Sequence, residues 1–385
     1  MKRGDFLNLA DFEPVARRRL PHCFYGYISG GVEDNQARTA NRAAFERLAF
    51  RPRMLVDTTA RDCAVDFFGK TWAAPFGIAP MGMVGLSAYR GDLVLARAAA
   101  QANIPFMLSG SSLVSLERII AANPDAWFQM YPSPQMDDNE RLLRRLVDAG
   151  YRNLVVTLDV PIAGNRESDL RNGFSSPLRI TPRLALDGLL HPRWLAGTFF
   201  RTLATEGMPH FENYAQGRAP MLARSGLRPH RRDGMTWAAL RRIRDLWPHR
   251  MVVKGVLATE DVRLALAAGA DAIQVSNHGG RQLDVSVAPL TVLPDIVNAA
   301  GDAPVLYDSG VRRGSDVLKA IALGAQLTFL GRPFMYAAVA GGEAGVLRAI
   351  ELLKREVLGN LALLGLPRPE RAPLAALMVR DPARA

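Results

Sequence analysis

An imidazole and a guanidinium stand three residues apart in the stretch 275–284, which reads VSNHGGRQLD. His278 is suited to act as a base, and the planar fork of Arg281 matches a carboxylate. Between them, Gly279 and Gly280 allow backbone conformations and a close ligand approach that a Cβ would resist. Taken alone, this histidine could equally be a turn residue and the arginine a solvated surface residue. The elements that precede and surround the stretch must therefore decide between the two interpretations.

Eight short apolar runs recur along the chain with helical segments between them. This alternation predicts repeated βα units and a parallel sheet. Eight units favour an α/β fold of the closed (β/α)8 type, a TIM barrel, over an open doubly wound sheet. The predicted strands are Pro75 to Pro80, Ile104 to Ser109, Ala126 to Tyr131, Asn153 to Asp159, Met251 to Gly255, Asp271 to Ser276, Pro304 to Asp308 and Gln326 to Gly331, and helices are predicted over 92–102, 137–149, 260–268 and 314–323.

Two regions fall outside the eightfold pattern. Residues 1–70 precede the first strand and are predicted to form an N-terminal helical extension. Residues 164–236 follow strand four and are far too long for a simple βα loop, so they form an insertion. At 385 residues the length alone would suggest two or three domains. Because barrels use this much chain as one unit, we expect a single domain over 1–385.

The bulk composition is that of a globular protein, with 49% hydrophobic and 22% charged residues. The net charge of +11 is compatible with nucleic acid, an anionic membrane surface or acidic ligands. No nucleic-acid-binding motif accompanies it, so no nucleic-acid partner is predicted. Cys23 and Cys63 lack zinc-ligand spacing, so we predict no metal site and a reducing, cytoplasmic compartment. We find neither a secretory h-region nor the roughly 20 apolar residues of a spanning helix.

Polar side chains stand at or just beyond the ends of most predicted strands. In barrels of this type the active site is built at the C-terminal ends of the strands. Any single Ser, Thr or Asp could instead cap the helix that follows. A set that recurs at six or more strand ends is not expected from capping alone, and its members are Ser109, Gln129 with Tyr131, Thr157 with Asp159, Lys254, Ser276 with His278, Asp308 and Arg332.

Together these motifs resemble the family of FMN-dependent L-2-hydroxy-acid dehydrogenases and oxidases. The resemblance runs in order from about Leu20 to Arg332 and includes an aromatic N-terminal motif, FYGYISGG, at 24–31. It implies FMN as cofactor, oxidation of an L-2-hydroxy acid to the 2-oxo acid, and a homo-oligomer, which in this family is a tetramer. No G-x-G-x-x-G follows the first strand, which disfavours a nicotinamide Rossmann enzyme.

The resemblance assigns the cofactor to the barrel mouth. The Gly-Arg pairs after strands seven and eight suit the phosphate, because these two loops most often form the barrel phosphate site. Lys254 resembles the lysine that stabilises the reduced ring at its N1 edge. Many relatives have Thr in place of Met81, so only its backbone contact is carried over. The implied cofactor-binding residues are Pro80, Met81, Gly82, Ser109, Gln129, Thr157, Lys254, Ser276, Asp308, Ser309, Gly310, Val311, Arg312, Gly331 and Arg332.

A 2-hydroxy acid needs a clamp for its carboxylate and a base for the proton that leaves. By resemblance Arg166 and Arg281 would bind the carboxylate, and two tyrosines would donate hydrogen bonds to it. His278 would be the base, with a carboxylate to orient it and stabilise the imidazolium. Hydride transfer and a carbanion route need the same residues, so both stay open. The two tyrosines are Tyr27 and Tyr131, and the orienting carboxylate is Asp159.

Three small residues bear on the size of the substrate. Relatives that handle glycolate narrow the site with a Trp and a Leu where this chain has Ser111 and Ala163, and Gly82 is found in mandelate-oxidising members. The segment LDGLLHPRW at 186–194 also resembles those members. An aryl or long-chain 2-hydroxy acid, mandelate-like, is therefore favoured over glycolate.

Residues 176–218 combine leucines, Trp194 and phenylalanines with Arg179, Arg183, Arg193 and Arg201. Such a mixture suits a membrane interface, but it also suits an active-site lid or a subunit contact. Resemblance to membrane-bound dehydrogenases favours peripheral association with the inner face of the cell membrane and a quinone as electron acceptor. The rival functions are an oxidase that uses oxygen and yields hydrogen peroxide, and a non-redox FMN-barrel isomerase.

Overall fold

The computed structural model describes residues 6–214, 217–221 and 231–380. Its centre is a parallel sheet of eight strands, ordered β1-β8-β7-β6-β5-β4-β3-β2. A parallel bridge between Ile78 and Phe106 joins the two edges and closes the barrel. The predicted fold class is thus confirmed. The strands are β1 (Phe76–Ile78), β2 (Met107–Ser109), β3 (Trp127–Met130), β4 (Asn153–Thr157), β5 (Arg250–Val256), β6 (Ala272–Val275), β7 (Val305–Asp308) and β8 (Leu327–Leu330).

A helix follows each strand and packs on the outside of the barrel. The helix Met136–Ala149 illustrates why these segments are helical: Leu142, Leu143 and Leu146 recur on one face and are buried, and Gly150 ends the helix in the left-handed conformation at φ +95°. The eight outer helices are Gly91–Ala102, Leu116–Ala122, Met136–Ala149, Trp237–Leu246, Thr259–Ala267, Pro289–Ala300, Gly314–Ala322 and Arg332–Leu364, and a shorter helix, Val84–Ser87, precedes the first.

Side chains from the strands fill the interior of the barrel. Trp127, at the start of β3, lies 5.7 Å from the Phe329 ring of β8, measured between ring centroids. A hairpin formed by strands Val65–Phe67 and Lys70–Trp72 closes the N-terminal end, because Phe67 stacks on Trp127 at 5.8 Å. The C-terminal end is the one that remains available for a ligand.

The N-terminal extension is helical, as predicted, with α-helices Phe12–Arg19, His22–Ser29 and Gln36–Glu46 after a 3₁₀ turn at Leu9–Asp11. The helix His22–Ser29 carries Tyr27 to the C-terminal end of the barrel. A strand at Leu48–Phe50 then pairs antiparallel with Met378–Arg380, which follows the last helix, Arg371–Leu377. The C-terminal end of the described chain is thereby tied to the N-terminal extension.

The described part of the insertion consists of short helices and one small strand pair. Trp194 is buried, and its indole N–H donates to the carbonyl oxygen of Leu86 at 2.7 Å, which fixes the segment against the short helix Val84–Ser87. No helix in the described ranges is both long and apolar enough to cross a bilayer. The elements are Glu167–Arg171, Pro182–Leu189, Pro192–Trp194, a π-helical turn at Leu195–Phe200, Arg201–Glu206, and the strands His210–Phe211 and Ala219–Pro220.

Candidate active site

A cavity of about 830 Å³ lies at the C-terminal ends of the barrel strands. Three of the predicted site residues, Ser109, Asp159 and Ser276, do not line it but lie directly behind residues that do. The predicted residues that line the cavity are Tyr27, Pro80, Met81, Gly82, Gln129, Tyr131, Thr157, Arg166, Lys254, His278, Arg281, Asp308, Ser309, Gly310, Val311, Arg312, Gly331 and Arg332.

His278 and Asp159 form a hydrogen-bonded pair at the wall of the cavity. The Nδ1 atom of His278 lies 2.9 Å from Oδ1 of Asp159. Burial opposes ionisation of Asp159, but the charges of His278 and Lys254 outweigh it and lower the pKa of Asp159 below its usual value. Because the carboxylate is ionised and can only accept, Nδ1 carries the proton. The lone pair of a neutral His278 therefore resides on Nε2, which lies 3.5 Å from the hydroxyl of Tyr131.

The neutral form of His278 is the stable one near pH 7. Burial lowers the pKa of His278 below its ordinary value, and the charges of Lys254 and Arg166 lower it further, although Asp159 raises it. An imidazole with a lowered pKa keeps its lone pair at neutral pH. A group in this state, held by a carboxylate on its other nitrogen, can accept a proton from a ligand in the cavity.

Unusual backbone conformations position both His278 and Asp159. His278, Gly279 and Gly280 adopt φ of 59°, 69° and 73°, so three consecutive residues are left-handed and turn the chain back over the cavity. Gly255 adopts φ of +100°, and a Cβ on it would lie 2.6 Å from the Cβ of Asp159. No role was predicted for this glycine, and the one signal for it in the sequence is its position next to Lys254 at a strand end.

Arg281 and Arg166 form a cationic group beside Tyr27. The Nη1 atom of Arg281 donates to the carbonyl oxygens of Tyr27 at 2.6 Å and Gly30 at 3.0 Å, and its guanidinium lies over the Tyr27 ring at 4.9 Å. Burial, followed by the charge of Arg166, lowers the pKa of Arg281 to about 10, so it remains charged at neutral pH. Two guanidinium groups that face one cavity can bind a carboxylate.

Lys254 extends from β5 into a buried polar network. Its Nζ donates to Oγ of Ser276 at 2.7 Å and lies 3.1 Å from Oδ2 of Asp308. The Ser276 hydroxyl donates to Oδ1 of Asp308 at 2.6 Å, and Gln274 donates to Oδ2 at 2.7 Å. Burial opposes the charge of Lys254, but Asp308 and Asp159 outweigh it and raise the pKa of the ammonium. A charged lysine is thus held at the cavity wall.

On the side of β2 to β4, the cavity wall contains unsatisfied polar atoms. Gln129 accepts a hydrogen bond from Ser109 at 3.1 Å. In the ranges that the structure describes, neither Nε2 of Gln129 nor Oγ1 of Thr157 has a hydrogen-bond partner, although both atoms are buried. Buried polar groups are normally hydrogen-bonded, so these two point to a ligand with polar edges.

Positive charge accumulates at the loops after β7 and β8. The three guanidinium nitrogens of Arg332 donate to the carbonyl oxygens of Ile28, Gly279 and Gly30 at 2.7 to 3.1 Å. Burial lowers the pKa of Arg332 well below its usual value, and the nearby charges of Arg281 and Arg312 lower it further. Such a concentration of cations would be stabilised by an anionic group.

Several residues of the insertion line the cavity, and Phe174 and Arg232 are two whose place there the sequence did not predict. Phe174 stacks on the Tyr27 ring at 4.5 Å, and Arg232 lies over the Tyr131 ring at 4.9 Å. Both line the cavity. No local pattern marked them, because they approach the mouth through the path of a long insertion.

The described residues contain one group of side chains that could reach a metal ion, and it lies outside the cavity lining. Nδ1 of His22 lies 2.8 Å from Oδ1 of Asp187, and Nδ1 of His191 lies 3.4 Å from the same oxygen. The His22 backbone N–H also donates to Asp187 at 2.6 Å. These contacts join the N-terminal extension to the insertion and are explained as a docking contact.

Known proteins resemble this chain over most of its length. A family model described as FMN-dependent dehydrogenase matches residues 16–377. The chain is 41% identical over 366 residues to (S)-mandelate dehydrogenase of Pseudomonas putida, covering 94% of this chain and 91% of that protein. It is 39% identical over 362 residues to 4-hydroxymandelate oxidase of Amycolatopsis orientalis, covering 94% and 95%. The crystal structure of the monotopic membrane protein (S)-mandelate dehydrogenase matches with a TM-score of 0.88 at 37% identity, covering 98% of this chain and 100% of that chain.

Proposed function

From the premise that this chain belongs to the family of FMN-dependent dehydrogenases, we propose that it oxidises a bulky, mandelate-like L-2-hydroxy acid at the barrel mouth. The family resemblance predicted from the sequence is confirmed. The protein is an enzyme, its cofactor is FMN, and its reaction is the oxidation of a 2-hydroxy acid. The identity of the acid, the residue roles and the electron acceptor are proposals. The observation that carries them is a buried, neutral His278, paired with Asp159, in a cavity that Arg166 and Arg281 also line.

The residues of the cavity fit FMN. The unsatisfied Nε2 of Gln129 and Oγ1 of Thr157 would be satisfied by the polar edge of a flavin ring. The buried charges of Arg312 and Arg332 suit a phosphate dianion. Ser109 and Ser276 do not line the cavity. We propose that they position cofactor-binding side chains instead, because Ser109 hydrogen-bonds to Gln129 and Ser276 to Lys254. The remaining predicted cofactor-binding residues keep that role as a proposal.

The chain's own groups can perform the proton chemistry. Arg281 and Arg166 would hold the substrate carboxylate, with Tyr27 and Tyr131 donating hydrogen bonds to it. His278 would accept a proton at Nε2, and Asp159 would hold Nδ1–H and stabilise the imidazolium that forms. When bound, FMN supplies a ring that accepts the two electrons removed from the substrate. The ammonium of Lys254 would stabilise negative charge at the adjacent ring edge.

A panel of 2-hydroxy acids tests this function. Anaerobic mixing of the FMN-loaded protein with each acid should bleach the yellow flavin, most rapidly with aryl or long-chain acids. Glycolate should react more slowly, since Gly82, Ser111 and Ala163 leave room that a small acid does not fill. If no 2-hydroxy acid bleaches the flavin, the reaction assigned to this site is wrong.

The exposed surface of the insertion supports association of the protein with a membrane. A quinone, which resides in the membrane, would then be the electron acceptor. Leu186, Leu189 and Leu190 are 60 to 68% exposed and lie close together in sequence, near Arg183 and Arg193. Apolar side chains next to cations are what an anionic membrane interface attracts. We infer peripheral association with the inner face of the cell membrane. The similar (S)-mandelate dehydrogenase is described as a monotopic membrane protein, which supports the inference.

An oxidase is the second candidate, because a similar protein is a 4-hydroxymandelate oxidase. The two candidates share the site and differ in the acceptor. Hydrogen peroxide formed in one-to-one proportion with the 2-oxo acid under air would favour the oxidase, and rapid reduction of a quinone in membrane vesicles would favour the dehydrogenase. We also propose that residues 1–385 form a single domain. We further propose a homo-tetramer, which the mass of the protein in solution would test.

A further inference from the structure

The loop that carries His278, residues 277–284, packs against the helix Gln36–Glu46 of the N-terminal extension. Asn41 in this helix and Asn277 in the loop are both buried, and their side-chain amides exchange two hydrogen bonds. Nδ2 of each residue donates to Oδ1 of the other at 2.8 Å. Neither residue lines the cavity. The pair thus lies directly next to the proposed base in sequence and outside the surface that a ligand would contact.

The amide of Asn277 also holds the turn that places His278. Its Oδ1 accepts from the backbone N–H of Gly280 at 3.1 Å, and its Nδ2 donates to the carbonyl oxygen of Val287 at 3.3 Å. His278 itself adopts φ of 59°, a left-handed conformation that is unfavourable for a residue with a Cβ. The turn must therefore be kept in place by contacts from its surroundings, and Asn41 supplies one from a separate element.

A second contact joins the same helix to the far end of the loop. Asp284 is buried, and its carboxylate accepts from the backbone N–H groups of Asp34 at 3.0 Å and Ala37 at 3.2 Å, so the loop caps the helix. Between the two contacts the backbones lie close together, because a Cβ on Gly280 would lie 2.6 Å from the backbone nitrogen of Arg38. The loop follows the surface of the helix along its length.

The helix is fixed to the barrel independently of this loop. Nη1 of Arg42 lies 2.7 Å from Oδ2 of Asp316, which is buried in the first turn of the helix Gly314–Ala322. Nζ of Lys319 in that outer helix donates to the carbonyl oxygen of Phe45 at 2.8 Å. Both contacts are made with the helix that follows β7, whereas the loop follows β6. A helix held in this way can serve as a template for the loop.

We propose that Asn41 is a positioning residue for the reaction: through Asn277, it holds the loop in the conformation that presents His278 to the substrate. This inference rests on the proposed function, because it takes His278 as the base. The carboxylate clamp has supports of its own, since Arg281 donates to two carbonyl oxygens of the N-terminal extension. Loss of the Asn41 amide should therefore slow the chemical step and leave substrate binding nearly unchanged.

The first test measures anaerobic reduction of the bound flavin by a mandelate-like acid. Asn41→Ala should lower the limiting rate constant roughly 10- to 100-fold, as expected of a misplaced reacting group, and change the apparent Kd of the acid by less than about 3-fold. Asn123→Ala is the matched control, because Asn123 is also buried and bonded, to Ala96 and Asp125, but lies outside the cavity lining. The control should keep the natural rate constant, since lower stability alone does not change the rate per bound flavin.

A double variant tests whether Asn41 acts through Asn277. If the two amides act as one unit, adding Asn41→Ala to Asn277→Ala should slow reduction by less than about 2-fold more than Asn277→Ala alone. Losses that multiply would overturn the proposal, and so would a natural rate constant in Asn41→Ala. If no 2-hydroxy acid reduces the flavin of the natural protein, the proposed function itself fails.

Hydrogen exchange of the FMN-loaded natural protein needs no variant. The backbone N–H groups of residues 277–280 are all hydrogen-bonded to side chains. They should exchange with deuterium at least about 100-fold more slowly than those of the exposed segment 54–57, as expected of a loop held by buried contacts. Exchange as rapid as in that segment would show that the helix does not hold the loop, and it would overturn the proposal even if no variant folds.

Discussion

The barrel mouth and the insertion are held in place by different arrangements of contacts. At the mouth, neighbouring strands carry side chains that hydrogen-bond to one another, as Lys254, Ser276 and Asp308 do, and all three are buried. The insertion is docked at a few points, such as Trp194 on Leu86, and leaves leucines exposed between them. The chemistry therefore depends mainly on the sheet, and the surface of the insertion can change without disturbing it, except where residues such as Arg166, Phe174 and Arg232 line the cavity.

Replacing the base should have the largest effect. His278→Gln should lower turnover by roughly 10²- to 10⁴-fold, the usual range for loss of general-base catalysis. The flavin spectrum should persist, since His278 is proposed to act on the substrate. Steady-state rates with a mandelate-like acid check this, with His249→Gln as the control, because this half-buried histidine lies outside the cavity lining. Turnover close to that of the natural protein would rule out His278 as the base.

A substitution in the backbone next to Asp159 should displace this carboxylate, which orients His278. Gly255→Ala would place a Cβ against Asp159 at a residue with φ of +100°, so the loop should shift and stability should fall by about 1 to 3 kcal/mol. Turnover should fall as well, because Nδ1 of His278 loses its partner. Gly197→Ala serves as the control, since nothing lies within 4 Å of a Cβ there. Denaturant unfolding and turnover measured together would show whether the two losses coincide.

Changing the shape of the clamp while keeping its charge should have a moderate effect. Arg281→Lys should raise the KM for the 2-hydroxy acid by about 10-fold or more, because an ammonium cannot reproduce a bidentate fork and its hydrogen bonds to Tyr27 and Gly30. Arg152→Lys, at an exposed arginine bonded to His249, is the control. An unchanged KM would place Arg281 outside the clamp.

A smaller effect is expected in the pH profile. The base must be neutral, so kcat/KM should fall as the pH drops through the pKa of His278, which burial places below 6.5. Asp159 raises that pKa, so Asp159→Asn should move the acidic limb of the profile to still lower pH while reducing the maximal rate. A limb that moves to higher pH in this variant would show that Asp159 does not act on His278.

Changes on the insertion surface should leave flavin reduction unaltered. Leu186→Gln combined with Leu189→Gln should weaken binding to anionic vesicles, because both side chains are exposed. Salt should weaken the binding of the natural protein, since the arginines act through a screened potential. Trp194→Ala, by contrast, should destabilise the fold by about 3 to 5 kcal/mol, because this indole is buried. If the leucine variant binds vesicles as well as the natural protein does, the exposed leucines have another partner.

Local patterns determine the barrel mouth much more fully than the insertion. Apolar runs predicted all eight strands, and polar residues at their ends together with the family resemblance predicted half of the residues that line the cavity. Ser109 and Ser276 were expected to face the cofactor, yet they lie behind Gln129 and Lys254, because the direction of a side chain at a strand end depends on its neighbours. In the insertion, composition alone could not separate buried Trp194 from exposed Leu186.

The most direct test of the central claim compares the two enantiomers of mandelate with the FMN-loaded protein in the absence of oxygen. The account predicts that the L-enantiomer bleaches the flavin in a single turnover and that the D-enantiomer does not. The reason is that the clamp at Arg281 and the base at His278 fix two substituents of the reacting carbon, so only one enantiomer holds the hydrogen of that carbon in a position from which it can be removed. Equal bleaching by both enantiomers, or bleaching by neither while other 2-hydroxy acids also fail, would contradict it.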